Sequence, residues 1–137
     1  MKKTLALFLV VLSVLSIMSC TVMAAGVEPR WNNTSSATVS LVIDENGEAS
    51  IGLACIGIGG VTTKIVAETK LERKWGLLWL DVSGAEWTDT STTSYMTLSH
   101  YMQLSKKATY RATTKYTISG TNGSDDETTC RCEYTYD

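Results

Sequence analysis

The chain has 137 residues, 44% of them hydrophobic and 19% charged, with a formal net charge of -2 at pH 7, which leaves room for one ordinary domain and not for two. Removal of an N-terminal leader would take Lys2 and Lys3 but no acidic residue, leaving ten basic side chains against fourteen acidic ones, net -4. That balance argues against nucleic acid, and against an anionic membrane as the main partner, because both need a basic face.

Residues 1–24 read as a signal peptide. Met1-Lys2-Lys3 is a short basic start, Leu5 to Met18 is an apolar run of signal length, and the small residues Ala24 and Ala25 follow, with cleavage expected after Ala24. Ser13, Ser16, Ser19 and Cys20 interrupt the run before it reaches the about 20 apolar residues that span a bilayer. Ile17-Met18-Ser19-Cys20 is similar to a bacterial lipoprotein cleavage site, so lipidation at Cys20 is the alternative, converting a secreted product into one anchored at the cell surface. Membrane contact is expected only through the leader or that anchor. The roughly 113 residues that remain would bury about 65% of their unfolded surface, a core that can stand without metal or disulfide.

Residues 25–35 read as an extended lead-in holding the only proline, Pro29, and Trp31; the domain is expected over residues 36–137. Ala37, Val39, Leu41 and Ile43 alternate with polar neighbours, Asp44-Glu45-Asn46-Gly47 turns the chain, and Ala49, Ile51, Leu53 and Cys55 continue the same parity. Gly57-Ile58-Gly59-Gly60 is followed by another alternating stretch (Thr63, Ile65, Ala67, Thr69 and Leu71 on one face) rather than by a helix, so it reads as a strand end and turn, not a phosphate cradle. Residues 70–74 are expected as a charged tip, Trp75-Gly76 as a turn, and Leu78, Leu80 and Val82 as an inward face with Trp79 opposite. Ser83-Gly84 reads as a break and residues 88–94 as a polar loop. Met96, Leu98, His100, Met102 and Leu104 share one side of a further strand, for which Thr97 and Tyr101 outweigh a helical reading. The clearest strand runs from Lys106 to Ile118, with Ala108, Tyr110, Ala112, Thr114, Tyr116 and Ile118 on one face and Arg111 and Lys115 on the other. After a Gly/Asn/Ser/Asp-rich turn, the last run places Cys130, Cys132, Tyr134 and Tyr136 together. About seven short strands at this spacing predict an all-β, single antiparallel two-sheet sandwich, immunoglobulin-like, preceded by the signal peptide.

The order of features resembles a family of small secreted β-sandwich proteins of Gram-positive anaerobic bacteria, of unknown function. The likeness lies in Pro29-Arg30-Trp31 after the leader, the strand from Ala49 to Cys55, Gly60 with Thr62-Thr63-Lys64-Ile65, the Trp79 to Val82 strand and Thr109-Tyr110-Arg111 near the end, with residues 83–87 similar to a small insertion. The resemblance implies the fold and an extracellular address, and supplies no catalytic residues. Tyr110, two residues before Ala112, is similar to the tyrosine corner of immunoglobulin-type domains, although such domains carry a bridging cysteine where this chain has Ala112.

Three cysteines survive processing. Cys130 and Cys132, about 7 Å apart on one strand face, are too far apart to bond each other. Either Cys55 pairs with Cys130 or Cys132, or three thiols stay free. His100, the only histidine, would need a nucleophile and an orienting acid to serve in a triad; Ser99 faces the other way, and a core-margin histidine is the reading. Asp125-Asp126-Glu127 with Asn122 offers oxygen ligands for calcium but lacks the spaced pattern of a loop site, so a solvated turn is expected. No metal and no cofactor are expected. Trp75, Trp79, Trp87, Tyr95 and Tyr101 are the candidate binding residues, since flat aromatic faces bind sugar rings and mark protein contacts. The functional expectation is a secreted or surface-exposed non-catalytic binding or structural module for an extracellular ligand, glycan or protein. The alternatives are a small antibacterial or carbohydrate-binding protein and, last, a hydrolase.

Overall fold

The computed structural model describes residues 31–137. The signal peptide, the lipidation site at Cys20 and residues 25–30 of the lead-in lie outside the described residues. Seven strands follow, β1 (Thr34–Ile43), β2 (Glu48–Gly57), β3 (Thr62–Trp75), β4 (Leu78–Ser91), β5 (Tyr95–Gln103), β6 (Ala108–Gly120) and β7 (Asp126–Tyr136), with no helix among the described residues. They form a three-stranded sheet in the order β1-β2-β5 and a four-stranded sheet in the order β4-β3-β6-β7, antiparallel throughout. This is the expected immunoglobulin-like sandwich, except that an immunoglobulin constant domain puts its fourth strand on the sheet of the first and here β4 stays beside β3.

Alternation decides what fills the interior. Val39, Leu41 and Ile43 of β1, Ile51, Leu53 and Cys55 of β2, and Tyr110, Ala112, Tyr116 and Ile118 of β6 are all buried, as their parity requires. Two tyrosine hydroxyls carried into this core each find a carbonyl. Tyr116 Oη donates to the Thr38 carbonyl on the opposite sheet at 2.7 Å, and Tyr110 Oη donates to the Lys106 carbonyl at 2.6 Å, which is the tyrosine-corner bond. Thr69 and Thr114, both buried on paired strands, satisfy each other at 2.9 Å.

One flank is closed by Asp126 at the start of β7. Its carboxylate accepts from the Asn32 and Asn33 amides at 2.9 and 2.7 Å and from Thr34 Oγ1 at 2.8 Å. Burial alone would raise its pKa, but these donors outweigh burial and hold it below the ordinary aspartate value. The expected solvated acidic turn is therefore corrected at Asp126: it clamps residues 32–34, and β1 begins at Thr34, inside the expected lead-in.

The remaining departures trace to bulges. Register shifts between Thr62 and Lys64, so Thr62 is buried and Thr63 exposed, the reverse of the strict alternation. Thr62 Oγ1 donates to the Asn33 carbonyl and accepts from the Ile58 amide. Residues 70–74 are not a tip but strand, paired with β6 from Lys70 to Arg73 and with β4 at Lys70 and from Glu72 to Lys74. Between Lys70↔Glu86 and Glu72↔Asp81 the β3–β4 register shifts, so the expected break at Ser83-Gly84 is a bulge within one long strand. Gly84 sits there at φ 75°, a backbone that a side chain disfavours. Beyond it, residues 88–91 pair with residues 65–68 of β3, and the expected loop shrinks to residues 92–94.

Because Tyr116 is fully buried, Tyr116→Phe leaves the Thr38 carbonyl without its inter-sheet donor while keeping the ring. Urea unfolding is expected to show a loss of about 1–2 kcal/mol, and an unchanged midpoint would contradict the bond.

Candidate functional site

The bulge in β4 contains an odd number of extra residues and so inverts the strand's parity. Leu78, Leu80 and Val82 face inward before it; Ala85, Trp87 and Asp89 face inward after it. Trp79 thus points outward from the four-stranded sheet and Trp87 points in, although they are an even number of residues apart. The five candidate aromatics do not form one face. Trp75 lies on the inner side of the β3–β4 hairpin, 66% exposed. Trp79 lies on the outer face of its sheet, Trp87 is at the β4–β5 margin, and only Tyr95 and Tyr101 share a surface, the outer face of the three-stranded sheet.

Trp79 belongs to a charged network. The Arg111 guanidinium lies 4.2 Å from its ring centroid and gives Nε and Nη2 to Glu72 at 2.9 and 2.8 Å. Lys70 meets Glu72 at 3.1 Å and Asp81 at 3.2 Å. Burial pushes the Glu72 carboxyl up, but the hydrogen bonds from Arg111 and Lys70 win and hold it below the ordinary glutamate value. Lys70 is held above its usual range by its bonds to Glu72 and Asp81. The same outer face carries Lys64, Glu68, Lys115, Glu127, Arg131 and Glu133, with Lys115 and Glu127 3.2 Å apart.

The opposite outer face carries none of this. Four of its cross-strand rows, Ser36–Ile56–Tyr95, Thr38–Ala54–Thr97, Ser40–Gly52–Ser99 and Val42–Ser50–Tyr101, hold no charge, and the Glu48–Gln103 pair follows at the end of the face. A Cβ at Gly52 would come within 2.5 Å of Ser40 Oγ, so the Ser40 hydroxyl lies over Gly52 at the middle of the face. Tyr95 and Tyr101 stand at its margin, 65% and 64% exposed, with Ile56 at 53% and Val42 at 56%. Six residues of strand separate the two rings, about 20 Å. Sequence reasoning named the tyrosines but missed the face. Its signal was present: the outward strand positions of β1 and β2 from Thr38 to Ile56 hold only Glu48 as a charge, at the start of β2.

His100 lies inside the open β4–β5 margin. Its Nε2 is 2.6 Å from Asp89 Oδ2, and its ring stacks on Trp87 at 4.7 Å and 9°. The structure thus supplies an orienting acid, while Thr97 and Ser99 on its own strand face outward and are exposed. Cys55 and Cys130 are free thiols, which corrects the expected bridge from Cys55 to Cys130 or Cys132. Cys130 Sγ is instead directed at the Ala37 carbonyl, 3.3 Å away, and Ala37 is the cross-strand partner of Cys55. Burial, then the neighbouring Cys130, push the Cys55 thiol up to about 12, and burial raises Cys130 as well, so neither is a ready nucleophile. Among the described residues, no three His, Cys, Asp or Glu side chains are grouped to hold a metal ion. The chain matches no known family, no characterised protein and no solved structure.

Arg111→Ala is expected to destabilise the domain at pH 7 by about 2 kcal/mol, since it removes two bonds to a buried carboxylate. Glu72 has a lowered pKa, so its contribution is complete above the ordinary glutamate value of 4.5 and is lost as pH falls through the lower folded-state value. In urea titrations the gap between the two proteins should be smaller at pH 3 than at pH 7; a gap independent of pH would contradict the network.

Proposed function

We propose that the chain is an exported, non-catalytic binding module whose recognition surface is the uncharged outer face of the three-stranded sheet, and that its ligand is a neutral polysaccharide chain. One observation carries the reading: four cross-strand rows without a charge, ending in two tyrosines about two-thirds exposed, on a domain whose other outer face is laced with ion pairs. A flat strip of Ser, Thr, Ala and Gly offers hydroxyls and backbone to sugar hydroxyls. The phenol rings at either end offer apolar faces to pyranose rings, with little entropy lost on binding. A charged ligand would find no partner there.

The resemblance to small secreted bacterial β-sandwich proteins supports an extracellular address for such a module. The placement of reactive groups supports a role without catalysis. Glu72 and Asp126 are committed to structural bonds, His100 is held between Asp89 and Trp87, and the free thiols are buried.

Affinity electrophoresis of the chain through gels containing neutral β- or α-glucans tests this. Retardation is expected for the wild type, with Tyr95→Ala and Tyr101→Ala each weakening binding about five- to tenfold. Equal retardation of the double variant, or none with any neutral polymer, would contradict the reading.

A further inference from the structure

The inner face of the β3–β4 hairpin runs past the part of the sandwich that the other sheet covers. Arg73 and Trp75 share this ledge with their cross-strand partners Leu80 and Leu78. Trp75 is 66% exposed, Leu78 58% and Leu80 38%, while Leu77 in the two-residue turn is 97% exposed. At the root of the ledge is a cavity of about 350 Å³ lined by Leu80, Val82, Met102 and Leu104, with Arg73 and Lys106 also on its wall.

Over residues 73–81, at the tip of the hairpin, the charges without an ion-pair partner among the described residues are cationic. Arg73 and Lys74 lie on the hairpin, and Lys106 and Lys107 lie in the β5–β6 connection at the same end of the sandwich. Lys74 is 5.9 Å from the Trp79 ring centroid and Lys107 5.7 Å from that of Tyr136. None of the four is in an ion pair among the described residues. Of the acidic groups at this end, Asp81 is held by Lys70; Asp44, Glu45 and Glu48 lie in or beside the β1–β2 turn, and Asp137 follows β7. On a domain that is acidic overall, the most exposed apolar residues thus directly follow two unpaired cations, Arg73 and Lys74.

We propose that the β3–β4 hairpin is a membrane-contact element: Trp75, Leu77 and Leu78 enter the headgroup–acyl boundary of an anionic bilayer, and Arg73, Lys74, Lys106 and Lys107 face its headgroups. Tryptophan and leucine at the tip of a rigid hairpin suit that boundary. Three side chains alone give weak, reversible binding, so the cations are needed as the second attraction, each worth about a fivefold change in partitioning near an anionic surface. This surface is distinct from the tyrosine-flanked face, so either assignment stands or falls without the other.

Vesicle flotation tests it with the full chain, comparing phosphatidylcholine vesicles with vesicles containing about one quarter phosphatidylglycerol. Wild type and Leu77→Asp differ only at the tip, and vesicle concentration is lowered until the wild type is about half bound, so that a common contribution of residues 1–30 does not saturate both; Leu77 is too exposed for its substitution to disturb folding, which circular dichroism verifies. The anionic vesicles are expected to float the wild type, Leu77→Asp to lose at least tenfold in partitioning, and Lys106→Glu with Lys107→Glu to lose about twenty-five-fold or more, with high salt weakening the wild type. Equal partitioning of wild type and Leu77→Asp, or equal binding to both vesicle types, would overturn the proposal. So would a wild-type dimer in analytical ultracentrifugation that Leu77→Asp dissolves, since the ledge would then be a contact between copies.

Discussion

Two sheets can close on each other only if every side chain that their alternation sends inward either fills space or satisfies its own polar atoms, and Tyr116 is where that requirement bites hardest. It is the largest fully buried side chain in the domain, and burial drives its phenol well above the ordinary tyrosine range, so it stays a neutral donor. Its hydroxyl reaches across the interior to the Thr38 carbonyl, turning a steric necessity into an inter-sheet bond. Tyr110 does the same locally at the β5–β6 corner. A phenylalanine would fill either site, but only the hydroxyl fixes where one layer sits over the other, because an unpaired buried carbonyl costs more than the bond contributes.

With the interior so fixed, the two outer faces are free to differ, and they differ in kind. The four-stranded sheet is held from outside by a charged lattice centred on Glu72, in which Arg111 joins a carboxylate on one side and the Trp79 ring on the other. The three-stranded sheet has no such lattice and shows small hydroxyl-bearing residues between two tyrosines. The β3–β4 hairpin adds a third surface, apolar, with Arg73 and Lys74 beside it. The exposed apolar side chains of the domain gather on the latter two surfaces, with Ile58 in the β2–β3 turn standing apart.

Most of the fold was legible because β1, β2, β6 and β7 alternate cleanly against water on one side. What alternation could not show was a change of its own phase. The bulge around Gly84 inverts β4, turning Trp87 inward onto His100 while Trp79 stays outward, so aromatics close in sequence were sent to different surfaces. The Thr/Ser composition of residues 88–91 concealed an edge strand, since hydroxyl-rich strands and loops look alike when no apolar residue marks the period. Asp126 read as one of a solvated acidic run because its three donors lie more than ninety residues away. The thiol arrangement was hidden for a similar reason: strand parity puts Cys55 and Cys130 inside but does not say that the Cys130 thiol is directed at the Ala37 carbonyl. The uncharged face was readable in principle, as a lack of charge at outward positions, but a lack draws less notice than a cluster.

The seal between the layers is tested most directly by thiol labelling of the folded chain, with the modified cysteines identified by peptide mass spectrometry. Cys55 and Cys130 reach the interior from opposite sheets, so both should react only when the domain opens as a whole, at one shared rate equal to that of global unfolding. Rapid modification of Cys130 while Cys55 stays protected, under conditions where the circular dichroism is native, would contradict an interior sealed between two interlocked sheets.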